Sequence, residues 1–124
     1  MNIILWIIAA VLAVAFLAAG AMKVAQPKAK LLESGMGWVE DFSAGAVKAI
    51  GALEVLAAVG LILPAALDIF PVLVPLAALG LVLLMAGAAV THLRRNESQM
   101  IAVNAVLLAL AAIVAWGRFG PYSF

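Results

Sequence analysis

Residues 3–24 read IILWIIAAVLAVAFLAAGAMKV, and no charged side chain occurs before Lys23. At 1.5 Å per residue this run makes a helix of roughly 30 Å, the thickness of a bilayer's hydrocarbon core. Ala18-Ala19-Gly20-Ala21 imitates a leader cleavage site, but no Lys or Arg precedes the run and it exceeds an ordinary leader's apolar core. It is read as a retained helix. Three similar runs follow, about Ala44 to Leu63, Val72 to His92 and Met100 to Gly117. They lack the alternation of barrel strands, and a helix satisfies its own backbone groups in lipid. The fold class expected is an all-α integral membrane protein, a single four-transmembrane-helix bundle spanning residues 1–124.

Composition supports this reading. Of 124 residues, 69% are apolar and only 10% are charged, against roughly half and a quarter for soluble domains. A sphere of this size cannot hide so much apolar surface, whereas a bilayer can solvate it. The absence of cysteine excludes disulfides, thiolate chemistry, iron–sulfur clusters and thioether-linked haem, and the single His92 excludes a multi-histidine metal site within one chain. No metal centre is therefore expected, and a net charge of +1 gives no reason to expect a nucleic-acid partner.

Proline and glycine punctuate the runs. Pro27 lies just past the first, Pro64 is expected to end the second, and Pro71 and Pro75 fall in or near the first turn of the third. Asn96 or Ser98 is expected to cap the fourth, with Glu97 favourable near its N-terminus and Gly117 and Gly120-Pro121 ending it. Lys23, Lys28, Lys30 and Lys48 flank the first connection and Arg94 and Arg95 the third, whereas the second has no basic residue and the tail only Arg118. The positive-inside rule then puts both termini outside the cytoplasm, in a multi-pass membrane protein. Trp6, Phe70, Trp116 and Tyr122 would belt the outer interface, with Trp38 at the inner one. The long connection, residues 25–43, interleaves apolar and charged residues and reads as an amphipathic segment on the inner surface, folded over the bundle's mouth.

The expensive residues carry the functional signal. Glu54 stands near the midplane of the second run, where a carboxylate costs about 3 kcal/mol, so it should face the bundle. Val47, Gly51, Glu54 and Ala58 share one helical face, and the small residues admit a close neighbour. Glu54 is read as a proton carrier or ligand-orienting group; an interhelical bond that only fastens the bundle is the alternative. Lys23 follows Gly20 by one turn and reads as either a pocket cation or a snorkelling lysine. His92 reads as a proton-active group or an interfacial cap. Asn104 should bond across to another helix. All four fall in one half of the membrane, one per helix, which suggests a shared polar pocket.

Those residues also carry a resemblance. Gly20-Ala-Met-Lys23, Gly51-Ala-Leu-Glu54 with the following Val-Leu-Ala-Ala-Val-Gly60-Leu-Ile-Leu-Pro64, His92-Leu-Arg-Arg-Asn-Glu97 and the closing Ala-Trp116-Gly-Arg118-Phe-Gly120-Pro121 occur in the order seen in DoxX-like proteins. The chain resembles this family of small four-helix bacterial membrane proteins over nearly its whole length. One member type is the quinone-reducing membrane subunit of thiosulfate:quinone oxidoreductase, and the family's Gly-x-x-Lys and Gly-x-x-Glu positions map to Lys23 and Glu54. No residues match a thiosulfate-oxidising site.

The expectation is a redox-associated subunit that binds a quinone or another lipophilic molecule in the polar pocket. Glu54, Lys23 and His92 would be its catalytic residues, and Gly20, Gly51 and Asn104 would contact the bound molecule. A noncovalent haem ranks behind the quinone as cofactor. Electrons would come from a redox partner protein, and the small-residue faces also admit a homo-oligomer. A proton-coupled transporter and an accessory subunit, with Gly80 and Gly87 as a docking face, are the competing readings.

Overall fold

Each apolar run forms one helix in the computed structural model, which describes residues 1–33 and 35–124. Helix α1 covers Asn2–Ala25, the short α2 Lys28–Glu33, α3 Ala44–Ala66, α4 Leu73–Arg94 and α5 Ser98–Phe119. A 3-10 turn, Gly37–Asp41, completes the first connection, and no strand occurs among the described residues. The helices α1, α3, α4 and α5 are long and apolar enough to cross a bilayer. The chain is thus a multi-pass membrane protein by length and hydropathy.

Each span is apolar all round yet buries only one stripe. On α1 it is Leu5, Ala9, Leu12, Phe16, Gly20 and Lys23; on α3 it is Val47, Gly51, Glu54, Ala58, Leu61 and Pro64. Steps of three and four keep a stripe on one face. The remaining faces expose large side chains such as Ile3, Val14, Leu56 and Leu83, which suit lipid.

The bundle is two tight hairpins, α1 with α3 and α4 with α5, which meet each other less extensively. Glycine lets α1 and α3 touch: a Cβ on Gly20 would lie 2.6 Å from the Gly51 carbonyl oxygen, and one on Gly51 would lie 2.6 Å from Lys23 Cβ. The hairpins join near the chain termini. There a Cβ on Gly60 would lie 3.0 Å from Ala77 Cβ, and one on Gly117 would lie 2.6 Å from Leu5 Cδ1. The main core fills this end and the middle, with Leu12, Leu61, Ala78, Leu81, Ala111 and Val114 at its centre.

Several boundaries differ from the sequence expectation. Pro64 does not end α3, which runs on to Ala66. Proline near a C-terminus forfeits one donor but still offers its carbonyl, and Ile69 N–H bonds to it at 2.9 Å while Asp68 N–H bonds to Ala65 O. Asp68 has φ 53, so this left-handed turn is what stops the helix. Neither Asn96 nor Ser98 caps α5. Asn96 has φ 56 and instead ends α4, with Glu97 N–H bonded to His92 O and Asn96 N–H to Leu93 O. Asparagine tolerates that conformation better than most residues. Gly117 lies inside α5, and Gly120 follows the helix end. Pro75 does fall in the first turn of α4.

The first connection packs onto the end of the bundle opposite the termini. Leu31, Val39 and Val47 form a small buried cluster covered by Met22, Met36, Trp38 and Phe42. Two lysines fasten it through carbonyls. Lys28 Nζ donates to Phe42 O at 2.6 Å, and Lys48 Nζ donates to Val24 O at the end of α1 at 2.8 Å. A cation at a helix C-terminus also matches the helix dipole. Ser43 begins α3 by accepting from Ala46 N–H at 3.1 Å.

Candidate functional site

Near the termini the buried stripes are apolar except for Arg118 on α5, which donates to Asn2 Oδ1 of α1 at 2.7 Å; at the other end all four turn polar and border one cleft. It lies between the two hairpins, has a volume of about 1120 Å³, and is lined by Lys23, Glu54, His92 and Asn104, one from each spanning helix. All four side chains belong to residues no more than 8% exposed. The expected convergence of these residues on one pocket therefore holds geometrically.

Lys23 and Glu54 form the first polar group. Lys23 Nζ donates to Glu54 Oε1 at 2.7 Å, with both side chains buried. The bond exists because Gly20 and Gly51 bring α1 and α3 together one turn away. Burying two charges is costly, and close hydrogen-bonded pairing is what offsets that cost. Glu54 Oε2 has no partner among the described residues, and Lys23 has two further N–H groups to donate. The Trp38 ring from the connection sits 5.7 Å from Lys23 Nζ, in range for a cation–π contact.

His92 leads the second group. Its Nδ1 lies 2.8 Å from Glu97 Oε1. A carboxylate only accepts, so Nδ1–H donates and the other ring nitrogen, Nε2, remains without a partner among the described residues. The Asn96 turn makes this possible, because it folds Glu97 back over the last turn of α4. Arg95 Nε is 3.4 Å from the same carboxylate oxygen, close enough for charge attraction but not aligned as a hydrogen bond. Arg95 also reaches Asp41 Oδ2 at 3.3 Å, tying the connection to the α4–α5 turn.

Asn104 departs from its expected role. Its Nδ2 is buried and has no hydrogen-bond partner among the described residues. The cleft separates α5 from α1 and α3 at this depth, so no neighbouring helix supplies an acceptor. A buried donor left unsatisfied costs about 1–3 kcal/mol, which makes this amide the least settled polar group of the site.

Gly20 and Gly51 do not line the cleft. They form the α1–α3 contact that positions Lys23 against Glu54. Gly80 and Gly87 do line it, and a Cβ on either would meet nothing within 4 Å. Sequence reasoning passed over Glu97 as a site residue and saw Trp38 only as an interfacial aromatic. The available signal was Glu97 standing directly after a helix-ending asparagine, five residues beyond a lone histidine.

The site offers an acceptor oxygen, an ammonium, an imidazole nitrogen and an amide donor at one end of an apolar slot. Groups of these kinds can hydrogen-bond a polar molecule and exchange protons with it. No curated protein and no solved structure matches the chain. The model of the DoxX-like family matches residues 7–114, a range that holds both hairpins and all four polar residues of the cleft. The chain belongs to the DoxX-like family.

Proposed function

We propose that this protein is a redox-associated membrane subunit that binds a quinone in the cleft and delivers protons to it. The observation that carries the reading is the cleft itself, apolar along its walls and edged at one end by Glu54, Lys23, His92 and the unpaired Asn104 amide. Reducing a quinone to its quinol adds two electrons and two protons, one proton to each carbonyl oxygen. Lys23 and the Asn104 amide donate hydrogen bonds to the headgroup, while Glu54 and His92 carry the protons. The electrons come from a redox partner protein. Lys23, Lys28, Lys30, Lys48, Arg94 and Arg95 cluster at the end where the headgroup would sit, which supports a cytoplasmic orientation for that end and an inner-membrane location.

The test is extraction and mass spectrometry of the purified protein, followed by titration with a quinone. Wild type should carry or bind one quinone per chain. Glu54→Gln and His92→Gln should each weaken binding or quinol formation at least tenfold while helicity persists. Binding unchanged in both variants would overturn the assignment.

A further inference from the structure

The cleft is much longer than a headgroup. On α4 its lining runs from Leu73 to His92, about 28 Å at the helical rise, close to the full depth of the hydrocarbon core. Its volume of about 1120 Å³ lies above the roughly 300–1,000 Å³ of ordinary small-molecule pockets. Large apolar side chains make most of its wall, and the two glycines that α4 adds to it differ sharply from the pair that joins α1 to α3. Gly20 and Gly51 are in backbone contact, whereas Gly80 and Gly87 face open space. Leu56 and Leu83, on facing sides of the cleft, are 67% and 66% exposed, so the slot opens sideways between α3 and α4. At its far end the buried Asn104 amide still lacks an acceptor.

From this juxtaposition we infer that the protein holds the long apolar chain of its ligand, not only the headgroup, in a track along Gly80 and Gly87. The ligand class is a lipid with one long chain and a hydrogen-bonding head, and it enters sideways from the membrane. The inference builds on the headgroup reading above, because the polar end fixes where the head lies and the glycines then receive the chain. A bilayer-length slot would be superfluous for a short polar solute. The side opening lets a chain slide in without crossing water.

The test fills the track. Leucine at both glycines (Gly80→Leu with Gly87→Leu) adds side chains where a Cβ meets nothing, so the bundle should fold as before, which circular dichroism checks. Two quinones with the same ring are titrated, one with a long isoprenoid chain and one with a methyl group in its place. The double variant should lose at least tenfold in affinity for the long-chain quinone and less than twofold for the methyl quinone. Where wild type binds both quinones, equal change for both ligands, or no change for either, overturns the track. A spin-labelled long-chain alcohol is the second probe. An immobilised signal in wild type that disappears in the double variant supports the track even if neither quinone ring binds, a result that would sink only the headgroup assignment. No immobilised signal in wild type overturns it.

Discussion

The two ends of the bundle are built from the same kinds of residue to opposite purpose. Near the termini, glycine brings the hairpins together, Gly60 against Ala77 and Gly117 against Leu5, and Leu12, Leu61 and Leu81 fill the interior. Beside that core a cleft runs along α4 from Leu73 to His92, past Gly60 and Ala77, and away from the termini it meets a buried ion pair and an unpaired amide. Water cannot drive helices together inside lipid, so packing and polar bonds decide where they close. One end closes by packing. The other is held within each hairpin by polar bonds and left open between hairpins.

That contrast breaks most visibly at the ion pair. Lys23→Met leaves Glu54 buried without its cation and should destabilise the protein by about 3–5 kcal/mol. Adding Glu54→Leu should restore most of the loss, since replacing both partners with apolar groups is often neutral. Denaturant unfolding in mixed micelles measures both variants, and a double variant as unstable as Lys23→Met would show that the pair is not the unit.

Packing gives the next largest effect and separates the ends directly. Leu12 is fully buried and Leu53 is 51% exposed beside the cleft. Leu12→Ala should cost about 2–3 kcal/mol as a cavity in a filled interior. Leu53→Ala should shift the same unfolding midpoint by under about 0.5 kcal/mol. Equal losses would mean that the cleft end is packed as tightly as the other.

The smallest effect belongs to the strap between the first connection and the α4–α5 turn. Arg95 and Asp41 are partly solvent-exposed, and such pairs contribute at most about 1 kcal/mol. Arg95→Ala should leave global unfolding nearly unchanged while raising amide exchange in Gly37–Asp41. Exchange that stays slow there would assign the hold to Lys28 and the Leu31–Val39 cluster instead.

Much of this was legible in the sequence. Span length follows from bilayer thickness, and the shared face of Val47, Gly51, Glu54 and Ala58 follows from the helical period; all four are buried. The polar half was legible because ionisable residues in lipid have few acceptable places. Hydropathy, however, scores Gly20 and Gly80 alike, although one seals a helix contact and the other opens a slot. Which occurs depends on helix rotation and spacing, and neither is written in composition. Glu97 escaped notice for a related reason. Its contact with His92 depends on Asn96 taking a left-handed conformation, and a turn signal alone does not say which of two adjoining helices it serves.

The Lys23–Glu54 bond has a consequence for biogenesis. It joins the first and second spanning helices, which leave the ribosome in succession, and the third begins only at Leu73. The most costly side chain in the membrane thus meets its cation inside the first hairpin, before the rest of the bundle is made. The second hairpin pairs its histidine with Glu97 from its own turn, but its buried Arg118 finds its side-chain partner in Asn2 of α1. The first hairpin can then insert with its membrane charge already paired, and the cleft forms last, at the seam where the second hairpin docks.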